Sequence, residues 1–144
     1  MIIDRTHNDV LKSIELAQRG GVFSEKEIET LERGMVTINT LNRIEEKQKE
    51  IANLISEMGY SVSIENKTWK QQDVFFFEDL KRIVSNVEKL RTSFFALNET
   101  PANPRAEYHY REFNLIEKVL LDIQNNAVFA EENYKICGSA ECGG

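Results

Sequence analysis

Few residues in this chain carry reactive side chains. Cys137 and Cys142 lie near the C-terminus in Cys-Gly-Ser-Ala-Glu-Cys-Gly, and His7 and His109 are the only imidazoles. Two thiolates and two imidazoles equal a tetrahedral zinc set in number. The cysteine spacing is loose for such a site, however, and the histidines fall on different predicted helices. A disulfide would require an oxidising compartment. Two unpaired cysteines in a terminal segment fit the pattern best, and neither a metal nor a cofactor is expected. Glu45, Glu46 and Glu50 place carboxylates along one predicted helix, interleaved with Arg43, Lys47 and Lys49. That alternation reads as a solvated, salt-bridged face rather than a metal cluster. Gly-x-Ser-x-Gly, a Walker loop and Gly-x-Gly-x-x-Gly are all missing, and no nucleophile has an evident base. The expectation is a protein without catalytic residues.

The aromatic residues say more. Phe75-Phe76-Phe77 follows the single Trp69, and three consecutive side chains cannot all face one side. At least one ring must meet another segment or another subunit, and aromatics are enriched at interfaces. Phe94 and Phe95 repeat the situation further along. Phe75, Phe76 and Phe95 are therefore interface candidates. Tyr134 and Ile136 join them, because an alternating Tyr-x-Ile can add a strand to an exposed edge, for which Val62 and Ile64 are the nearest candidate.

These groups must be positioned by a modest single core. The chain has 144 residues, 41% hydrophobic and 29% charged, a globular rather than a disordered composition. Lys and Arg number 18 against 24 Asp and Glu, a net charge of -6, which argues against a nucleic-acid partner. The longest apolar run, Val74 to Phe77, is too short to span a membrane, and the first residues show no secretory pattern, so neither membrane nor leader is expected. Glycine and the two prolines, Pro101 and Pro104, divide the chain into helical pieces. Thr6-His7-Asn8-Asp9 and Ser24-Glu25-Lys26-Glu27 have capping-box spacing and open the first two. The third runs over about 38–58, the fourth starts near Phe77 and the fifth near Tyr108. Leu41, Ile44, Leu80, Ile83, Phe113 and Ile116 fall on their apolar stripes and form the predicted core. Residues 60–64 alternate like a short strand or extended connector. The expected fold is mainly all-α: a bundle of about five helices over residues 1–129, a short extended or β element, and an irregular, extended C-terminal segment over 130–144.

Three of the predicted helices share a signature. Leu41-Asn42-Arg43-Ile44-Glu45 aligns with Leu80-Lys81-Arg82-Ile83-Val84 and with Phe113-Asn114-Leu115-Ile116-Glu117. Equivalent helices would present polar residues in equivalent places. Any amphipathic helix reuses the apolar part of this spacing, though, and only the Asn-Arg-Ile-Glu core exceeds it.

In order along the chain stand Asp4-Arg5-Thr6 with Asp9-Val10, Leu41-Asn42-Arg43-Ile44-Glu45, Gly59-Tyr60, Lys67-Thr68-Trp69 with Asp73, Asn86 with Leu90-Arg91, a proline-containing link, and Asn114-x-Ile116-Glu117-Lys118-x-Leu120. This series resembles a family of small proteins encoded among the structural genes of phages and prophages of Firmicutes-type bacteria. Thr40 and Leu115 depart from its pattern. The resemblance implies a non-enzymatic virion structural protein of the tail, baseplate or fibre region, made in the host cytoplasm. It also implies partners among other virion proteins and copies of itself, joined through helical and C-terminal contacts. A small intracellular regulator or adaptor acting by helix-in-groove binding is the alternative.

Overall fold

The computed structural model describes residues 1–93 and 103–139, with side chains described to residue 133. Among the described residues there are five helices and no strand: α1 (His7–Arg19), α2 (Glu25–Gly34), α3 (Ile38–Glu57), α4 (Phe77–Ser93) and α5 (Tyr110–Ser139). The fold is all-α.

Both capping boxes form. The Thr6 hydroxyl accepts from the Asp9 amide while the Asp9 carboxylate accepts from the Thr6 amide, and Ser24 and Glu27 repeat the exchange. Each box satisfies two donors that a helix start leaves free. α3 ends in a paired closure. The Tyr60 amide donates to the Ile55 carbonyl (3.2 Å) and the Gly59 amide to the Ser56 carbonyl (3.0 Å). That geometry puts Gly59 at φ 94°, a left-handed conformation that suits glycine.

α1 and α2 form an antiparallel hairpin, as the pairs Asp9–Arg33, Ser13–Thr30 and Arg19–Glu27 show. Its helices touch so closely that a Cβ on Gly34 would lie 1.9 Å from Ser13 Oγ and 2.2 Å from the Asp9 carbonyl oxygen. Gly34 permits that approach, and the Ser13 hydroxyl lies 2.7 Å from the Thr30 carbonyl oxygen.

α3, α4 and α5 pack on one another to form the main body. They run parallel. Arg82 and Asn86 of α4 meet Glu45 and Gln48 of α3 in ascending order. Arg43 meets Glu117 near the starts of α3 and α5, and Met58 and Ala130 flank one pocket further along. Parallel neighbours cannot be joined by tight turns, so long connectors must bring the chain back to the starting end. Residues 58–76 are one such return. Leu41, Ile44, Leu80, Ile83, Phe113 and Ile116 are all buried in the core between the three helices, with Ile51, Ile55, Leu90, Leu120 and Ile123.

Of the short strand or extended connector expected over residues 60–64, no strand forms; Val62 and Ile64 pack against the core from a connector. An isolated alternating pair has no second strand here to bond, so side-chain burial decides its course. Residues 130–139, expected to be extended, continue α5 to Ser139. From Ala127 to Cys137 the sequence holds no proline or glycine, and Ala and Glu are good helix formers, so local propensity carries the helix on without a clear stripe. No described helix is long and apolar enough to cross a membrane.

Candidate functional site

The polar residues of the shared signature hold extended chain against the helices. On α3, Asn42 and Glu45 stand three residues apart and so point from one face. The Asn42 side-chain amide pairs with the backbone of Trp69 at both ends: Trp69 N donates to Oδ1 (2.7 Å) and Nδ2 donates to the Trp69 carbonyl (3.1 Å). Glu45 accepts from the Lys67 amide (3.0 Å) and from the indole N–H of Trp69, and Arg82 of α4 donates to both carboxylate oxygens.

α5 repeats the device on a different segment. Asn114 pairs with both backbone groups of Arg5, with Arg5 N donating to Oδ1 and Nδ2 donating to the Arg5 carbonyl, each at 3.0 Å. Glu117, fully buried, accepts from the Ile2 amide and from Arg43 Nε of α3 (3.0 Å). A primary amide offers one donor and one acceptor, which is what a single residue's backbone needs. The likeness between α3 and α5 therefore goes beyond shared amphipathicity. In each clamp an arginine from the neighbouring helix, at the position before the aligned isoleucine, neutralises the glutamate after it. The corresponding positions on α5 and α4 hold Leu115 and Val84, so the third member of the set carries no charge.

The surroundings act on the arginines. Arg82 is pushed above its ordinary pKa by its hydrogen bonds to Glu45, which outweigh the opposing effect of burial. Arg5 is pushed down by burial, against the pull of Glu117 and with Arg43 adding repulsion. A third polar group, Gln48, donates to the Ile83 carbonyl (2.9 Å) and accepts from Asn86, which also holds the Glu65 carbonyl (2.7 Å). Glu45 is thus buried, not part of the solvated face expected for it, because it sits one residue from the core isoleucine and the connector closes over it. Glu46 and Glu50 are exposed, and Lys47 bridges Glu50 at 2.9 Å.

Comparison with family models, curated proteins and solved structures found no match.

Each predicted interface residue has its own place. Phe75 turns inward, edge-on to Trp69 and Tyr108 at 5.6 Å each and to Phe113 at 6.4 Å. It meets another segment of its own chain. Phe76, next along the extended stretch, points the opposite way and is 63% exposed. Phe95 lies outside the described residues, as do the side chains of Tyr134 and Ile136, whose backbone belongs to α5. Cys137 shares that position, and Cys142 lies outside the described residues. His7 is exposed at the start of α1, while His109 stacks on Tyr110 at 4.6 Å. Among the described residues no group of three or more His, Cys, Asp or Glu is placed to hold a metal ion.

Next to Phe76 along the chain, the structure brings together two exposed rings that lie far apart in sequence. Phe77 and Tyr108 have ring centroids 6.2 Å apart, and both are about half exposed, as is Val74. The Lys81 ammonium lies over the Phe77 ring at 5.0 Å. Phe75 links this surface inward to Trp69, so the clamp of α3 holds its underside. In the sequence Tyr108 marks only the expected start of the fifth helix, because the apolar period of α5 begins after it.

Proposed function

We propose that the chain is a non-enzymatic assembly protein, a component of a bacteriophage virion in the tail, baseplate or fibre region. It works by contacts with other virion proteins and with copies of itself. The observation that carries this reading is the exposure of Val74, Phe76, Phe77 and Tyr108 around the inward-turned Phe75, which packs edge-on against Trp69 beside the Glu45 clamp. Aromatic rings on a fixed scaffold supply contact area at little ordering cost, and such anchors dominate interface energetics. The buried carboxylates support the same view, since both are committed to holding extended chain. Repeated use in a symmetric ring would let one such surface serve many contacts. The acidic net charge favours protein partners over nucleic acid.

A second reading is an intracellular adaptor. It draws on the exposed Leu11, Ile14 and Ile28 of the α1–α2 hairpin, side chains of the kind a partner's groove could take. Mass spectrometry of purified particles separates the two. The virion reading expects the protein in particles at a fixed ratio to other structural proteins. Abundance in the lysate with absence from particles would reject it in favour of the adaptor.

A further inference from the structure

Ser13 is the only buried residue of α1 and α2. It meets the Thr30 carbonyl and stands against Gly34, so these positions mark the line along which the two helices touch. The residue after each of them turns to the same side, because the helices are antiparallel: Ile14 after Ser13, Leu31 after Thr30 and Met35 after Gly34. Val10 and Met35 accordingly line the same cavity. Val10, Ile14 and Ala17 recur at helical spacing on α1, as do Ile28, Leu31 and Met35 on α2, so the hairpin carries one continuous apolar face. Leu11, Ile14, Ile28 and Met35 are about half exposed. A layer of two helices buries such a face only against a further element.

The charges bordering that face say what covers it. On α2, Glu25, Glu29 and Glu32 recur at helical spacing along the outer edge of Ile28 and Met35. Glu25 and Glu29 are exposed and have no ion-pair partner among the described residues. Glu32 answers only the neutral Thr37 and Asn39. The cations are directed elsewhere. Arg19 pairs with Glu27, and Arg33 with Asp4 and Asp9. Lys12 lines the opposite face of the hairpin beside Leu16 and Thr30, and Lys26 shares the helical position of Thr30 and Arg33. A second copy would offer this acidic stripe either its own carboxylates or the α1 edge of Leu11, Glu15 and Gln18, and neither edge holds a lysine or arginine. The complementary partner is therefore a different, basic one.

We propose that the hairpin docks a basic amphipathic helix of another protein, its apolar stripe on Ile14, Ile28 and their neighbours and its flanking lysines or arginines against Glu25, Glu29 and Glu32. An amphipathic helix laid along an apolar face is a recurring recognition mode, and complementary charge fixes its register and hastens encounter. The face spans about two turns of each helix, the scale of a transient rather than a permanent contact. This inference goes beyond the particle reading and does not rest on it, since the face takes no residue from the exposed aromatic surface.

The test uses the full chain and three blocked synthetic peptides of about 18 residues, long enough to form a helix. The first has a leucine stripe flanked by lysines, and the second replaces every lysine by glutamate. The third keeps the composition of the first with its leucines spread around the helix. In amide chemical-shift titrations at constant ionic strength, the lysine peptide should shift α1 and α2 saturably, with a dissociation constant of about 0.1 mM or tighter. The other two should bind at least about tenfold more weakly. Ile14→Ser with Ile28→Ser should weaken the lysine peptide by a similar factor. Glu25→Gln with Glu29→Gln should weaken it about threefold or more, whereas Glu46→Gln with Glu57→Gln, the same charge change at exposed positions of α3, should leave it unchanged. If the serine variant loses helix, the two glutamine variants, altered only at exposed side chains, carry the comparison. No saturable shift, equal binding of any two peptides, or the same loss from both glutamine variants overturns the proposal. So does self-association of the chain alone, measured by sedimentation equilibrium, that Ile14→Ser with Ile28→Ser abolishes, because the face would then belong to a second copy.

Discussion

Replacing Glu45 by valine strips a buried carboxylate from three donors at once: Arg82, the indole of Trp69 and the amide of Lys67. Removing one partner of a buried ion pair costs about 3–5 kcal/mol. Arg82 retains some exposure, its side chain being 20% accessible, so it can recover part of its hydration and the cost through the arginine falls at the low end. The stranded indole N–H adds about 1–3 kcal/mol, which brings the total for Glu45→Val to about 4–6 kcal/mol. Arg82→Leu should cost less, about 2–3 kcal/mol, because Glu45 keeps its other two donors. The double variant recreates at the α3–α4 contact the valine and leucine found at the corresponding third positions, Val84 and Leu115. Its loss should therefore fall short of the sum by about 1–3 kcal/mol. Urea unfolding followed by far-ultraviolet ellipticity measures the losses, and fluorescence of Trp69, the only tryptophan, reports on the clamp itself. At this chain length a loss of 1 kcal/mol lowers the melting temperature by about 4 °C. A cost below about 0.5 kcal/mol for Glu45→Val, or strictly additive losses, would refute the reasoning.

Truncating the core stripe, by Leu41→Ala or Ile116→Ala, should cost about 2–5 kcal/mol each; melting temperatures that barely move would show that these helices do not pack as described. Gly34→Ala should destabilise the hairpin although alanine is ordinarily the better helix former by about 1 kcal/mol, since its Cβ meets Ser13 and the Asp9 carbonyl; a stabilised variant would contradict the close approach. The hairpin should also weaken in acid. Asp9 is held below its ordinary pKa, burial raising it but the amide and hydroxyl of Thr6 and the Arg33 guanidinium together lowering it more. Glu27 is held down by the Ser24 amide and then by Arg19. Carboxyls depressed on folding stabilise fully above their unfolded values, about 4, and that contribution is lost as the pH falls through the folded ones. Amide exchange in α1 and α2 measured from neutral pH downward should show protection falling below about pH 4, ahead of α3, and unchanged protection there would count against the capping boxes.

Much of the fold is legible in the residues. Thr6-to-Asp9 and Ser24-to-Glu27 mark helix starts through backbone chemistry that is local, and local chemistry can be read along the chain. The apolar period of α3 and α4 likewise needs no knowledge of partners. The parallel arrangement of α3, α4 and α5 is not legible in this way, because it depends on where a long connector returns. Glu45 shows the limit most clearly. Its neighbours Arg43, Lys47 and Lys49 describe a wet surface, and only the closure of residues 65–69 over α3 makes it a buried acceptor. The Asn-x-x-Glu spacing shared by α3 and α5 was a usable signal, but its meaning lay in two segments distant in sequence. Ala130 to Ser139 is not legible as helix because it lacks a stripe, and propensity without periodicity gives a weak signature.

The occupancy of variants in assembled particles tests the central claim most directly. Phe76→Ser combined with Phe77→Ser alters the exposed surface while leaving Phe75, Trp69 and the clamps in place. Particles purified from cells expressing only this variant, quantified by mass spectrometry against the other structural proteins, should contain it at a small fraction of the wild-type ratio although the soluble protein keeps its melting temperature. Wild-type occupancy of the variant would contradict the account and move the assembly contacts elsewhere on the molecule.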